Sequence, residues 1–165
     1  MCIRDSDYTD YNLDKSISLN SCLVHDTKPE NHNYTQHVAT PNGWMFGIPL
    51  QSRKSFGYLY NDTITTKGDA IDNFKTYCDD IDSNKLREFK FKSYSAKSFF
   101  DGRVLKNGNR ALFYEPLEAL MGYFYERVLA TFFDYIFVNK NIDLTNNIIQ
   151  GYADDIELAI CFVYK

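Results

Sequence analysis

The 165 residues, 44% hydrophobic and 16% aromatic, suffice to bury a core of one domain's size and exclude a disordered chain. Eighteen basic against 22 acidic side chains leave a net charge of -4 with the signs interspersed, so there is no electrostatic footprint for nucleic acid, and a small-molecule or protein partner is expected. Cys2, Cys22, Cys78 and Cys161 lie far apart, with no Cys-x-x-Cys and no signal peptide ahead of them. That predicts reduced thiols and a cytoplasmic setting rather than a disulfide framework or a thiolate zinc site.

In chain order, Met1 to Ser6 has no apolar period and reads as an adaptor-derived remnant outside the fold. Asp14 to Leu23 is mixed in pattern, and Lys28 to Asn33 is a polar loop by its turn residues, so strands are expected only after it. Trp44, Phe46, Ile48 and Leu50 then alternate with Met45, Gly47 and Pro49, and the turn Gln51 to Lys54 leads into Phe56, Tyr58 and Tyr60. This is a hairpin. Pro49 has no N–H to give a ladder, which predicts an edge strand or a local break there. Thr66 with Asp69 three residues on resembles a cap, and Ala70, Phe74, Tyr77, Cys78 and Ile81 follow helical spacing. Phe89 and Phe91 alternate with Lys90 and Lys92. Asp101-Gly102, between Ser98–Phe100 and Arg103–Leu105, signals a second hairpin.

After Pro116 the period becomes helical. Leu117, Leu120, Met121, Phe124, Val128, Phe132 and Tyr135 form one apolar face beside a polar and small-residue stripe at Glu118, Gly122, Glu126, Ala130 and Asp134. A second helix is predicted from Thr145 to Lys165. It keeps its spacing to the last residue without a stop signal, so the chain is expected to be cut at both ends. The apolar run Gly122 to Val138 is interrupted by Glu126, Arg127 and Asp134, which argues against a membrane span. The expected class is α+β: antiparallel sheet with hairpins, a sheet-rich part over 7–115, then a helical part with two long helices over 116–165.

Glu115-Pro116 ahead of a helix has two readings. Proline suits a first turn, and a carboxylate there is stabilised by unpaired N–H groups, so the pair can be purely structural. The same free donors suit an anion such as halide or the electron-rich edge of a reduced flavin. His25, His32 and His37 lack metal spacing, and their polar context predicts solvated side chains, so no metal is assigned. The sequons at Asn33 and Asn61 matter only in a secreted chain.

Two segments are more specific in combination. Gly43 to Leu50 reads Gly-Trp-Met-Phe-Gly-Ile-Pro-Leu, and Gly108 to Glu118 reads Gly-Asn-Arg-Ala-Leu-Phe-Tyr-Glu-Pro-Leu-Glu. The first resembles the Trp-x-Trp-x-Ile-Pro signature of flavin-dependent tryptophan halogenases, and the second their Glu-Pro-Leu-Glu segment. With Tyr34-Thr35, Ala39, Arg53, Gly57-Tyr58, Tyr60 and Phe91, the resemblance runs from about Tyr34 to the end. It implies the C-terminal part of an FAD-dependent monooxygenase-like fold. In that family reduced FAD and oxygen turn halide into hypohalous acid that attacks an aromatic substrate, with a separate flavin reductase as partner.

Carried over by residue, the resemblance puts Glu118 beside the substrate as the group that assists proton removal or orients the halogenating species. It puts Gly108, Asn109, Pro116, Leu117 and Gly122 by the flavin, and Trp44, Phe46, Ile48 and Pro49 by the substrate. Halide would meet the backbone amides of Leu120 and Met121. The chain departs from the pattern twice. Phe46 replaces the second tryptophan, which removes an indole N–H. Ala119-Leu120-Met121-Gly122 stands where relatives acting on tryptophan read Ser-Thr-Gly after the glutamate, and loss of that Gly could alter the local φ. The family's Gly-x-Gly-x-x-Gly fingerprint and catalytic lysine belong to its N-terminal portion, and no such fingerprint occurs here, so these residues alone are expected to be inactive. A flavin monooxygenase that uses no halide and a non-catalytic scaffold are the alternatives.

Overall fold

The computed structural model describes residues 8–29, 34–79 and 81–164, with the side chain of Glu118 outside the described set. Met1 to Ser6 and His32 also lie outside it, and so does most of the polar loop before Tyr34. The chain divides into two compact units, residues 18–91 and residues 1–17 with 92–165. The sequence division at 115/116 is one of secondary-structure content; the compact units are cut elsewhere.

The 18–91 unit is built on an antiparallel sheet of β2 (Ser21–Thr27), β3 (Gln36–Thr40), β4 (Gly43–Pro49), β5 (Lys54–Tyr60) and β6 (Arg87–Lys90), in the order β3-β4-β5-β2-β6. The predicted hairpin is β4–β5, in register Gly43↔Tyr60 through Pro49↔Lys54 and closed by Leu50 N–H donating to Arg53 O at 2.8 Å. On one face α1 (Lys67–Tyr77) lies over Leu23, Met45, Phe56, Tyr58 and Tyr60, contributing Ala70 and Phe74 to one apolar cluster. Burying each such side chain is worth roughly 1.5–3 kcal/mol, which is what holds a short helix that isolated chain would not keep. Thr66 caps α1 as predicted: its Oγ1 accepts from Asp69 N at 3.2 Å and donates to the Asp69 carboxylate at 2.7 Å. Tyr58 Oη donates to Asn73 Oδ1 at 2.5 Å, tying sheet to helix.

Three expectations change in this unit. β4 is interior, between β3 and β5, and Pro49 is tolerated because it is the last residue of its strand, beyond the β3 pairing that begins at Gln36↔Gly47. The mixed stretch before the loop contains β2, which lies between β5 and β6. His25 belongs to it and is buried rather than solvated. The predicted helix stops at Tyr77, while Ile81 packs on the same apolar cluster from outside it.

The other unit has a small antiparallel sheet of β1 (Tyr11–Leu13), β7 (Tyr94–Ala96) and β8 (Leu112–Phe113), in the order β1-β7-β8. Its helices α2 (Leu120–Asp134) and α3 (Ile142–Val163) pack together, with Phe124, Val128, Ile149, Ala153, Ile156 and Ile160 buried. Arg127 sits 4.8 Å over the Tyr152 ring and donates to its hydroxyl at 2.5 Å. Asn146 of α3 accepts from the N–H groups of Phe99 and Phe100 at 2.8 and 3.0 Å and donates to Phe100 O at 2.7 Å. One side chain thus serves the backbone of that segment as a strand neighbour would.

The hairpin expected at Asp101-Gly102 is reduced to one bridge, Phe100↔Leu105, with Asp101 Oδ1 accepting from Arg103 N and Val104 N at 2.8 Å each. The aromatic pair Phe99 and Phe100 is drawn onto the helices instead, at Phe124, Phe132 and Tyr135. The first long helix also departs from its predicted start. A 3₁₀ turn spans Leu117–Ala119, Ala119 takes a left-handed φ of 54°, and regular helix begins only at Leu120. It ends in a π turn over Tyr135–Asn139, and α3 begins at Ile142, three residues before the predicted start, with Asn141 as its cap.

Candidate functional site

In the 18–91 unit the signature segment is β4. Alternation places Trp44, Phe46 and Ile48 on the sheet face opposite α1, and their exposure grades along the strand. Trp44 is buried at 5% exposed, Phe46 is half-buried and Ile48 reaches 37%. Trp44 pairs with Ala39 and Leu59, meets His37 edge-on at 5.5 Å, and lies 6.0 Å from the Phe46 ring. Its indole Nε1 is buried with no acceptor among the described residues, an uncommon state for a donor. Phe46 lies across Gly57 of the neighbouring strand, where a Cβ would come within 2.2 Å of the ring. Gly57 is therefore what lets an aromatic ring lie flat on β5. Pro49 closes the strand against Lys54.

In the other unit, Asn107 Oδ1 accepts from Gly108 N at 2.8 Å and caps a 3₁₀ turn over Gly108–Arg110. Gly108 has φ 59°, and a Cβ added to it would meet nothing within 4 Å, so its backbone is open to a flat ligand. The turn is fastened to α2 by Tyr125, whose Oη donates to Asn109 Oδ1 at 2.8 Å and whose carbonyl accepts from Asn107 Nδ2 at 3.2 Å. Tyr94 Oη donates to Asn109 O at 2.8 Å. Burial, and then Tyr94, pushes the Tyr125 phenol above its ordinary range, so it remains a donor at neutral pH. Tyr94, Asn107 and Tyr125 were not singled out from sequence. Asn107-Gly108 is the one signal that could have found part of this, because Asn before Gly is turn chemistry.

Glu118 lies in the 3₁₀ turn, flanked by exposed Pro116, buried Leu117 and exposed Ala119. Glu115 is buried and accepts from the Tyr164 hydroxyl, an anchor that no local pattern announces. Of the amides assigned to halide, that of Leu120 donates to Leu117 O within the turn, so an anion there would compete with that bond. Met121 has helical backbone: among the described residues Ala119 and Lys140 are the non-glycine ones with positive φ, so no glycine is required at 121. Gly122 is exposed, with open space where a Cβ would stand. Open backbone at Gly108 and Gly122 and a short turn ahead of α2 fit a planar cofactor, which could approach main chain without displacing side chains.

A separate cavity of about 390 Å³ in the same unit is lined by Asp14, Ser16, Ser95, Tyr114, Gln150 and Glu157 among others, and by none of the residues assigned from sequence. Among the described residues no group of His, Cys, Asp or Glu could hold a metal ion, and no helix is long and apolar enough to cross a membrane.

One unit carries an antiparallel sheet with a Trp-Met-Phe-Gly-Ile-Pro strand, the other a helix pair entered through a Glu-Pro-Leu-Glu turn, and each feature is of the flavin-dependent halogenase type. The chain belongs to the tryptophan halogenase family, whose sequence profile matches residues 7–165. It is 27% identical over 154 residues to tryptophan 6-halogenase ThaL of Streptomyces albogriseolus, covering 90% of this chain and 29% of that protein. It is 26% identical over 95 residues to tryptophan 7-halogenase RebH of Lentzea aerocolonigenes, covering 55% of this chain and 17% of that one. Among solved structures, tryptophan halogenase from Shewanella frigidimarina shares the fold with a TM-score of 0.74 at 22% identity, covering 91% of this chain and 31% of that one. The tryptophan 6-halogenase of Streptomyces toxytricini gives 0.73 at 15%, covering 86% and 30%. The chain therefore spans less than a third of the length of these relatives.

Proposed function

We propose that this chain is part of a reduced-flavin-dependent halogenase that chlorinates or brominates tryptophan or another electron-rich aromatic through hypohalous acid. The observation that carries the reading is the junction at Leu117–Leu120. There a non-glycine residue is held at φ 54° between a 3₁₀ turn and α2, and it directly follows Glu118. Strain of this kind costs on the order of 1 kcal/mol or more and is held where a site needs it.

When bound, reduced FAD supplies the oxygen chemistry that oxidises halide. The chain's own residues do the rest. Gly108, Asn109, Pro116, Leu117 and Gly122 give main chain and small surface for the flavin. Met121 offers its backbone amide to halide, and Leu120 does so on giving up its bond to Leu117 O. Trp44, Phe46, Ile48 and Pro49 make an aromatic and apolar wall that orients the substrate ring and excludes water. The Glu118 carboxylate takes the proton from the ring carbon under substitution, or stabilises the positive charge that develops there. A separate flavin reductase delivers the reduced cofactor.

The test is Glu118→Gln in the full-length protein. The amide keeps shape and most hydrogen bonding but loses the charge, so product formation with chloride and with bromide should fall far more than thermal stability. A structural first-turn glutamate would instead cost roughly 0.3–1 kcal/mol of stability and leave turnover alone. Unchanged turnover removes Glu118 from the mechanism. Leu120 and Met121 favour a second reading, a flavin monooxygenase without halide use, and a parent enzyme that gives no halogenated product from indoles or phenols would move the assignment to it.

A further inference from the structure

Residues paired across an antiparallel sheet share a face, and one such row runs His37, Phe46, Gly57, Val24 over β3, β4, β5 and β2. It lies on the face away from α1, with Trp44 and Ile48. In a strand a side chain stands roughly upright on its sheet. Phe46 instead reclines across β5: an ideal Cβ on Gly57 would fall 2.2, 2.3 and 2.9 Å from its Cζ, Cε1 and Cε2 atoms. The far end of the ring thus fills the place that a side chain at 57 would take, next to half-buried Val24.

The only polar side-chain atom of Trp44, Phe46, Ile48 and Pro49 is the Trp44 Nε1, and it is buried. What these four residues turn outward is therefore hydrocarbon, which selects a ligand by shape rather than by hydrogen bonds. The height of the wall then decides what fits, and at Phe46 that height is set by Gly57. Carbon atoms in contact stand about 3.5–4.0 Å apart, so a single methyl group at 57 must lift the ring by more than about 1 Å. The atoms it meets are the end of a side chain, so the ring gives way first, into the space above the sheet.

We propose that Gly57 is a positioning residue of the substrate wall: it holds the Phe46 ring down on β5 and so sets the clearance that lets a fused two-ring aromatic, and not only a single ring, lie against β4. This inference rests on the reading of Trp44 to Pro49 as that wall.

The experiment is equilibrium dialysis of the full-length protein with phenol, one ring, and 2-naphthol, two fused rings. Gly57→Ala should weaken 2-naphthol binding at least tenfold and phenol binding less than threefold. Adding Phe46→Leu, which removes the far end of the ring, should bring 2-naphthol back to within threefold of the parent. A glycine kept only for the sheet would lower the melting temperature and leave the ratio of the two affinities unchanged, and that result, or no rescue by the second substitution, would overturn the inference. If Gly57→Ala does not fold, Phe46→Leu alone decides: it should shift the ratio at least threefold towards 2-naphthol, and an unchanged ratio counts against the proposal. A parent that binds neither compound sinks the wall reading and this inference with it, whereas equal weakening of both by Gly57→Ala sinks this inference alone.

Discussion

Gly43 opens β4 at φ 154°, and an ideal Cβ built there would stand 2.0 Å from the Leu59 carbonyl oxygen and 3.0 Å from its carbon, both main-chain atoms that cannot swing aside. Gly43→Ala must therefore part β4 from β5 by more than 1 Å at the Gly43↔Tyr60 end of the hairpin. Losing about two ladder hydrogen bonds at about 1 kcal/mol each, with about 1 kcal/mol of backbone strain, gives a cost of about 3 kcal/mol. Trp44 is the single tryptophan of the chain and adjoins the perturbed residue, so its fluorescence reports urea unfolding of this unit directly. With a slope of about 1–3 kcal/mol per molar urea, the midpoint should fall by at least about 1 M. The same substitution at Gly151, exposed within α3 with nothing within 4 Å, should stabilise by about 0.5–1 kcal/mol, read from helical circular dichroism. A Gly43→Ala loss below about 0.5 kcal/mol, or the same sign at both sites, refutes the steric argument.

Burial pushes the Cys22 thiol up to about 12, so at pH 8 iodoacetamide should alkylate the partly exposed Cys161 well before Cys22, which reacts only on unfolding. Peptide mass mapping that finds equal rates would contradict this. The Ser55 hydroxyl bond, then Arg87 and Arg53, hold the Asp26 carboxyl below its ordinary range. That contribution is complete above the unfolded pKa of about 3.9 and disappears as pH falls through the lower folded value. Asp26→Asn should therefore cost about 1 kcal/mol or less at pH 7 and leave no gap from the parent at pH 2; an equal gap at both pH values counts against the bond network. Tyr125→Phe should cost roughly 0.5–1.5 kcal/mol by releasing Asn109 and, in the full-length protein, weaken flavin affinity, which a flavin titration would measure.

The legible parts of the fold were those whose neighbours in space are also neighbours in sequence. The β4–β5 hairpin shows in its alternation and turn, and α1 shows in Thr66 and Asp69. β2 was hidden because it is held from both sides by β5 and β6, and its Asp26 is satisfied by Ser55 and Arg87, partners that a local window does not contain. Pro49 misled for a related reason: strand position depends on where β3 begins, some thirteen residues earlier. At the site, Gly108, Asn109 and Pro116 were readable as turn chemistry. The left-handed Ala119 was not, since alanine is the strongest helix former and nothing in its identity announces a break. The cavity of Asp14, Ser95 and Glu157 joins three distant stretches and has no sequence motif.

The ring of Phe46 laid over Gly57 also sets a rule for how this family member can vary. Neither position is free alone: any side chain at 57 collides with an aromatic at 46, and a small residue at 46 would bare the main chain of β5. Homologues should therefore change the two together, and a library that randomises the signature strand for new substrates should couple codons 46 and 57, or most of its members will fail at the sheet before their pockets are ever sampled.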